Sequence, residues 1–455
     1  MKKLKNLVFL FLGLTLVLSC NDDDGPAPFV PETIAEIASV SPDLENLVAA
    51  LRRAGLVETL NGTGQFTVFA PTDAAFDEFL DGAALTDVPV DELRELLLNH
   101  VITGTLHSTS LETGYQSTLA TKAGTDLNIS MYVNVSTVVT LNGVSEVIIP
   151  NIEATNGIIH VVDAVIDLPN IVDHALANPN LTSLVGALTT GGNTTFTGLL
   201  STPGDFTVFA PINEAFTSFT NPNSNALDDI LYNHVVTGIT AVSSGLSNTY
   251  EKTAAKFGDT DNNLSLYINT DDNMVTLNGG AEVVIADIIS TNGVVHAVNQ
   301  VIDIPTIVTF AVADPSFSTL ATALTTLTPS TDFDAILSIS NGTDPAPFTV
   351  FAPVNTAFDA IDIPTDEAVL ADILRHHVVA GLNVTSGDLT NPGDTVAPSL
   401  EGDNLTITLP GTGDNIANLT DGSGNNDIGI VAVDVQAGNG VIHVINKVAI
   451  PNLTN

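Results

Sequence analysis

The chain of 455 residues has one cysteine, no tryptophan, five tyrosines, and only 11 lysines and arginines against 52 aspartates and glutamates. A single cysteine, Cys20, excludes an intrachain disulfide, so stability has to come from packing. Without tryptophan and with few tyrosines there is little material for a carbohydrate-stacking platform. A formal charge of −41 opposes nucleic acid and anionic headgroups, which makes DNA and RNA poor partners. Charged residues are only 14% and apolar residues 44%, a balance that suits folded cores rather than an acidic disordered tail. Catalytic signatures are missing as well: there is no G-x-S-x-G elbow, no H-E-x-x-H helix and no phosphate-cradling glycine loop.

What the chain does have is one pattern three times over. Phe66-Thr67-Val68-Phe69-Ala70-Pro71 returns at Phe206 to Pro211 and Phe348 to Pro353, with starts 140 and 142 residues apart. A histidine follows in each copy, at His100, His234 and His377, and each copy closes on Asn-Gly, two aliphatics and a histidine, at Asn156 to His160, Asn292 to His296 and Asn439 to His443. That period is far beyond a solenoid repeat and close to the size of an independent domain.

Within each copy the periodicity changes in the same order. Ile34, Ile37, Ala38 and then Leu44, Leu47, Val48, Leu51 follow helical spacing, with Thr33 and Ser41 placed as N-caps and Pro42 at the first helical position. The Phe-Thr-Val-Phe-Ala segment reads as a strand ended by proline, and Thr72-Asp73, Asn213-Glu214 and Asn355-Thr356 start short helices. Later, Val138 to Leu141 and Val275 to Leu277 run into Asn142-Gly143 and Asn278-Gly279, the type I′ hairpin signal. Aliphatic strands Ile158 to Ile166, Val294 to Ile302 and Val441 to Ile450 finish the copies. The junctions, Asp167-Leu168-Pro169 and Asp303-Ile304-Pro305, hold proline and almost no Gly or Ser, which predicts a semi-rigid orientation between copies.

At the amino terminus Lys2, Lys3 and Lys5 precede an apolar run from Leu7 to Leu18, too short to span a bilayer, which ends in Leu18-Ser19-Cys20. Residues 1–19 read as a secretory signal, and Cys20 behind a small residue resembles a bacterial lipobox, which implies lipid attachment at Cys20; an ordinary signal with an incidental cysteine is the alternative. Asn21 to Asp24 and the Pro-rich stretch after them, an acidic tether over 20–30, resemble the surface-export signal of Bacteroidetes lipoproteins. The expected location is the outer membrane, exposed at the cell surface.

Six of the nine histidines recur at equivalent places, but they sit among aliphatics with no cysteine, acid or serine recurring beside them. The expectation is a core histidine bonded to backbone, with no catalytic residue and no metal site. Asp261, Asp271 and the run Asp421 to Asp427 place oxygen donors in loops, and Asp421, Ser423, Asn425 and Asp427 start like a calcium loop. Asn426 stands at its glycine position and Ala432 at its glutamate position.

Taken together, the T-V-F-A-P box, the N-H-V-V-x-G box at Asn233 to Gly238 and the N-G-V-I-H-V-I box at Asn439 to Ile445 resemble the fasciclin domain family in triplicate. The resemblance implies an α+β fold, each domain a β-sandwich-like wedge flanked by helices, over 31–168, 169–304 and 305–455. It implies adhesion or matrix binding, no enzyme activity and no cofactor; a surface glycan-capture accessory is the alternative. The implied partners are the membrane, through the lipid, and a matrix protein, glycan or another surface protein. In animal members a Tyr-His pair near the second box is linked to integrin binding, whereas here Asn99, Asn233 or His376 precedes the histidine. The third copy departs most, so a specific contact is expected there or at a junction; the ligand-binding residues are unknown from sequence.

Overall fold

A computed structural model describes residues 32–189 and 195–453. The signal-like segment 1–19, Cys20 and the acidic tether over 20–30 lie outside the described residues. Each copy opens with a helix, Ile34–Val40, Ile171–Ala177 or Ile307–Ala313, started by a capping box at Thr33, Asn170 or Thr306. In domain 1 the Thr33 hydroxyl accepts the Glu36 amide at 3.3 Å, and the Glu36 carboxylate accepts the Thr33 amide at 2.8 Å. Ser41 differs from expectation. Its hydroxyl donates back to Ile37 O at 2.7 Å, so it closes the first helix instead of starting the second, which begins at Glu45. Its counterparts Asn178 and Asp314 do cap the next turn, accepting the Asn180 and Ser316 amides at 3.0 and 2.8 Å.

The strands follow in the same order three times. Domain 1 has β1 (Phe66–Pro71), β2 (Val101–Thr103), β3 (Gly114–Thr121), β4 (Asn128–Val135), β5 (Val139–Leu141), β6 (Ser145–Ala154) and β7 (Gly157–Val162). Domain 2 has β8 (Phe206–Pro211), β9 (Val235–Thr237), β10 (Thr249–Lys256), β11 (Asn263–Asn269), β12 (Thr276–Leu277), β13 (Ala281–Ser290) and β14 (Gly293–Val298). Domain 3 has β15 (Phe348–Pro353), β16 (Val378–Ala380), β17 (Gly393–Pro398), β18 (Asn404–Leu409), β19 (Ala417–Thr420), β20 (Ile428–Ala437) and β21 (Gly440–Ile445). The first and last strands of each domain pair in parallel and the others antiparallel. The sheet curls until its ends meet: it closes as a seven-stranded barrel in domains 1 and 2, and stays open between β16 and β17 in domain 3. There the Val378 carbonyl accepts the Leu400 amide at 2.6 Å, beyond the end of β17.

The closing strands are shorter than the aliphatic runs suggest. β7 stops at Val162 because Asp163 turns outward and its carboxylate accepts the Glu146 amide at 2.7 Å; Asn299 and Asn446 do the same for Glu282 and Gly429, both at 2.8 Å. Val165 and Ile166 leave the sheet and are buried in separate apolar clusters.

Alternation along β1 divides each core in two. Val68 and Ala70 face the helices and pack with Ile34, Leu51 and Leu93, while Phe69 points into the barrel against Ile102, Met131 and Leu141. Phe209 and Phe351 repeat the inward position. All three rings are essentially inaccessible, and truncation of a buried phenylalanine costs about 3–5 kcal/mol.

The parallel pairing explains the Asn-Gly box. Gly157 lies opposite Phe66, where an added Cβ would stand 1.9 Å from the Phe66 carbonyl oxygen; at Gly293 and Gly440 the figure is 2.2 Å. Asn156 before it is a clamp: its Oδ1 accepts the Ile34 amide at 2.9 Å and its Nδ2 donates to Leu60 O at 2.6 Å. Asn292 and Asn439 repeat both bonds. Among the described residues no single helix is long and apolar enough to cross a membrane.

Candidate functional site

The repeated histidines are held inside each domain. His100 follows the helix Val90–Leu98, and its Nδ1–H donates to Leu96 O at 2.8 Å while Nε2 accepts the Ile166 amide at 2.9 Å. His234 and His377 repeat this with Ile230 O and the Ile302 amide, and with Ile373 O and the Ala449 amide. An amide donor fixes Nε2 as acceptor and therefore the tautomer. Burial, partly offset by the bond to the backbone carbonyl, lowers all three pKa values to about 4.

The second set is also occupied. His160 and His296 donate from Nε2 to Leu106 O and Ala241 O at 2.9 Å, and accept the Asn151 and Asp287 amides at Nδ1 at 3.2 Å. His443 donates to Val384 O at 2.8 Å. Each of these rings stacks on the inward phenylalanine, with centroids 5.5 to 5.7 Å apart. Neither set offers an accessible base, so the histidines are braces, as their aliphatic surroundings predict.

Domain 3 adds His376, where domains 1 and 2 have Asn99 and Asn233. Those asparagines donate to the carbonyls at the domain exit, Asp167 O and Asp303 O, both at 3.0 Å. His376 instead accepts the Gly422 amide at Nε2 at 3.0 Å, with Nδ1 3.1 Å from Ser399 Oγ and 3.5 Å from Glu401. The amide bond puts the proton on Nδ1, so Ser399 receives a hydrogen bond and has no base to activate it. Desolvation lowers the His376 pKa against the opposing charges of Glu401, Asp421 and Asp403.

The calcium-like loop is tied to itself. Asp421 accepts the Ser423 and Asn425 amides at 3.1 and 2.8 Å and the Ile450 amide at 2.9 Å. Asp427 pairs with Lys447, and Asp261 with Lys256 at 2.7 Å. Among the described residues no group of three acids, histidines or cysteines is placed to hold a metal ion.

Two features lie at the surface of each domain in repeated form, one covered by the next domain and one exposed. The first is the joint between neighbouring domains. At the first joint the Ile289 amide donates to Ser130 Oγ at 3.0 Å, Tyr115 packs on Tyr132 at 4.9 Å and edge-on to His174 at 5.5 Å, and Asn178 Nδ2 donates to the Tyr115 hydroxyl at 3.3 Å. At the second the Gln436 amide donates to Ser265 Oγ at 3.0 Å, Tyr250 packs on Tyr267 at 4.8 Å and edge-on to Phe310 at 5.3 Å, and the Tyr250 hydroxyl donates to Asp314 at 2.9 Å. The hairpin glycines complete the fit. Gly143 and Gly279, both at φ +71°, lie so close to Ala177 and Ala313 that an added Cβ would meet the alanine Cα at 3.4 and 3.1 Å. Lys122, nearly buried, reaches Asp205 across the first joint at 2.7 Å, and Lys252 reaches Asp434 O across the second at 2.6 Å.

The second feature is an exposed apolar segment at the bulge of the long strand. Ile148 and Ile149 are 49% and 51% exposed, Val284 and Ile285 50% and 36%, and Val431 42%. The bulge rests on a residue at positive φ, Asn151, Asp287 or Asp434, with φ of 61 to 63°. Each bonds the amide of a serine in the neighbouring loop, Ser108, Ser243 or Ser386, at 2.7 to 2.8 Å. Sequence reading missed both features: Tyr115 and Tyr250 stand in strands whose periodicity shows only alternation, and the bulge breaks that alternation.

Comparison with known proteins places these observations in a family. A fasciclin domain model matches residues 42–169, 179–305 and 315–451. Human periostin is 29% identical over 343 residues, covering 72% of this chain and 38% of periostin. The pig transforming growth factor-beta-induced protein ig-h3 is 25% identical over 437 residues, 93% of this chain and 58% of that protein. A cell surface glycolipoprotein of Mycobacterium bovis, MPB83, is 36% identical over 110 residues, 23% of this chain and 47% of that protein. The chain thus spans less than two thirds of the length of each of these relatives.

Proposed function

The chain belongs to the fasciclin domain family, and from that premise we propose that it is a non-catalytic adhesion or matrix-binding protein held at the cell surface by lipid on Cys20. In this reading residues 1–19 are removed as a signal peptide, 20–30 form the tether, and three domains over 31–168, 169–304 and 305–455 are presented outside the outer membrane. The observation that carries it is the division of labour in the domains. Their recurrent histidines are engaged internally, while the same aliphatic segment stays exposed in each copy. The name of the mycobacterial relative, a cell surface glycolipoprotein, supports surface presentation.

Repetition suits weak contacts, because neighbouring sites on one chain raise the effective concentration of the next. The test is adhesion of the chain from residue 21 onward, immobilised, to cells, matrix proteins and polysaccharides, beside a variant with Ile149→Ser, Ile285→Ser and Val431→Ser. Binding that weakens in the variant supports the reading, and no binding by the parent chain to any of these surfaces rejects it. Binding to polysaccharide alone would favour the glycan-capture function. Palmitate labelling with a Cys20→Ala control, combined with protease shaving of intact cells, checks the anchor: label lost in the control and domains cleaved from outside are the expected results.

A further inference from the structure

We infer that the two outer faces of the array are edited against the joint that holds its inner faces together, so that copies of this chain do not add end to end. An inner joint has a donor side and a receiving side. The donor side is the strand pair β3–β4 or β10–β11 with the Asn-Gly turn between β5 and β6 or between β12 and β13, and the receiving side is the first helix and long strand of the next domain. Domain 3 also has a donor side and domain 1 a receiving side, and both can be read position by position.

On domain 3 the cross-strand pair Tyr115–Tyr132, repeated as Tyr250–Tyr267, becomes Asp394–Thr408. The aromatic rings that cover His174 and Phe310 at the inner joints are therefore gone, and a carboxylate stands in their place. The Asn-Gly turn that fits against Ala177 or Ala313 is replaced by the loop 421–427 between β19 and β20. That loop is not free to fold away, because Asp421 holds three of its own and neighbouring amides and His376 holds Gly422.

On domain 1 the matching positions change too. Val40, 71% exposed, stands where Ala177 and Ala313 admit the hairpin glycine. At the inner joints even a single Cβ added to the hairpin glycine would stand 3.0 to 3.4 Å from the alanine, so the two further methyl groups of valine at this position would crowd the turn. Glu153 stands where Ile289 and Gln436 present their amides to a serine, and its carboxylate lies 3.5 Å from His107 on the surface. Laying domain 3 of one copy on domain 1 of another would bury Asp394 and Glu153 in the same joint, with only the His107 imidazole beside Glu153, a repulsive arrangement of the kind that sets partner choice. The formal charge of −41 on each chain acts in the same direction.

The test uses the chain from residue 21 onward, which keeps every described residue, in sedimentation velocity over two decades of concentration. One variant carries Val40→Ala and Glu153→Gln on the receiving side. A second carries Asp394→Tyr and Thr408→Tyr with 421–427 replaced by Asn-Gly-Gly on the donor side. Each variant keeps one native outer face, so each alone should remain a single chain, and their equimolar mixture should form a two-chain species. The inference is overturned if the mixture stays monomeric while both variants melt as cooperatively as the parent. It is equally overturned, whatever the variants do, if the unmodified chain forms concentration-dependent species that cross-link domain 1 to domain 3.

Discussion

Across the second joint the Tyr250 hydroxyl donates to the Asp314 carboxylate at 2.9 Å, while the equivalent Tyr115 hydroxyl only accepts a 3.3 Å bond from Asn178. Burial, reinforced by the charge of Asp314, pushes the Tyr250 phenol up and the neighbouring Tyr267 to about 12, so both stay protonated donors. Tyr250→Phe therefore takes from the buried Asp314 carboxylate one of the two tyrosine hydroxyls that serve it, and is expected to destabilise the domain 2–3 contact by about 2 kcal/mol. Tyr115→Phe is expected to cost under about 1 kcal/mol. Denaturant melts followed at each domain measure both, and equal effects at the two joints would contradict this assignment.

The hairpin glycines separate backbone strain from close approach. Gly82, at φ +84°, has nothing near an added Cβ, whereas Gly143 and Gly279, both at φ +71°, face Ala177 at 3.4 Å and Ala313 at 3.0 Å. Gly82→Ala reports the left-handed backbone alone, roughly 1 kcal/mol. Gly279→Ala should lose clearly more than Gly82→Ala and more than Gly143→Ala, in thermal melts of the full array.

Acid acts on the buried imidazoles. His100, His234 and His377 have folded pKa values of about 4 against an ordinary 6.5, so between these values the unfolded chain binds more protons than the folded one. The neutral braces contribute fully above about pH 6.5, and each loses about 2 kcal/mol by pH 5. NMR shifts of these rings should stay flat from pH 7 to about pH 5 while stability falls. A ring titrating near its ordinary value would show that its brace is open.

Lys122 is nearly buried and its Asp205 partner is 55% exposed, at 2.7 Å. The lysine charge, through its hydrogen bond, holds the Asp205 pKa below the usual carboxylate range. Asp205→Asn should cost roughly 1–2 kcal/mol at the first joint, discounted for the solvent around the aspartate. Lys122→Met should recover part of that loss when added to Asp205→Asn, and no recovery would mean the pair is not coupled.

Much of this fold is legible in the chain. Thr33, the proline that ends each first strand, Asn142-Gly143 and the phenylalanines of that strand each signal their element through local chemistry, and the histidines are read as braces because nothing reactive recurs beside them. Ser41 and the overlong closing strands were misread, since one polar residue, Asp163 or its equivalents, redirects a run whose hydropathy continues unbroken. Barrel closure and the joints depend on contacts between residues far apart in the chain, such as Phe66 with Gly157 and Ser130 with Ile289. Local periodicity carries no record of such pairs. The rigid prolines at the junctions pointed to fixed orientation without revealing the tyrosines that hold it.

Joints of this kind should lock the three folded copies into one array. Beyond Cys20 the chain has no cysteine, so spin labels can be placed at Glu92→Cys in domain 1 and Asp334→Cys in domain 3 of the chain from residue 21 onward. Electron–electron dipolar spectroscopy should give one narrow distance distribution that broadens when Tyr115→Ala and Tyr250→Ala remove the rings from both joints. A broad distribution in the unmodified chain, unchanged by those substitutions, would mean that the joints do not hold the domains.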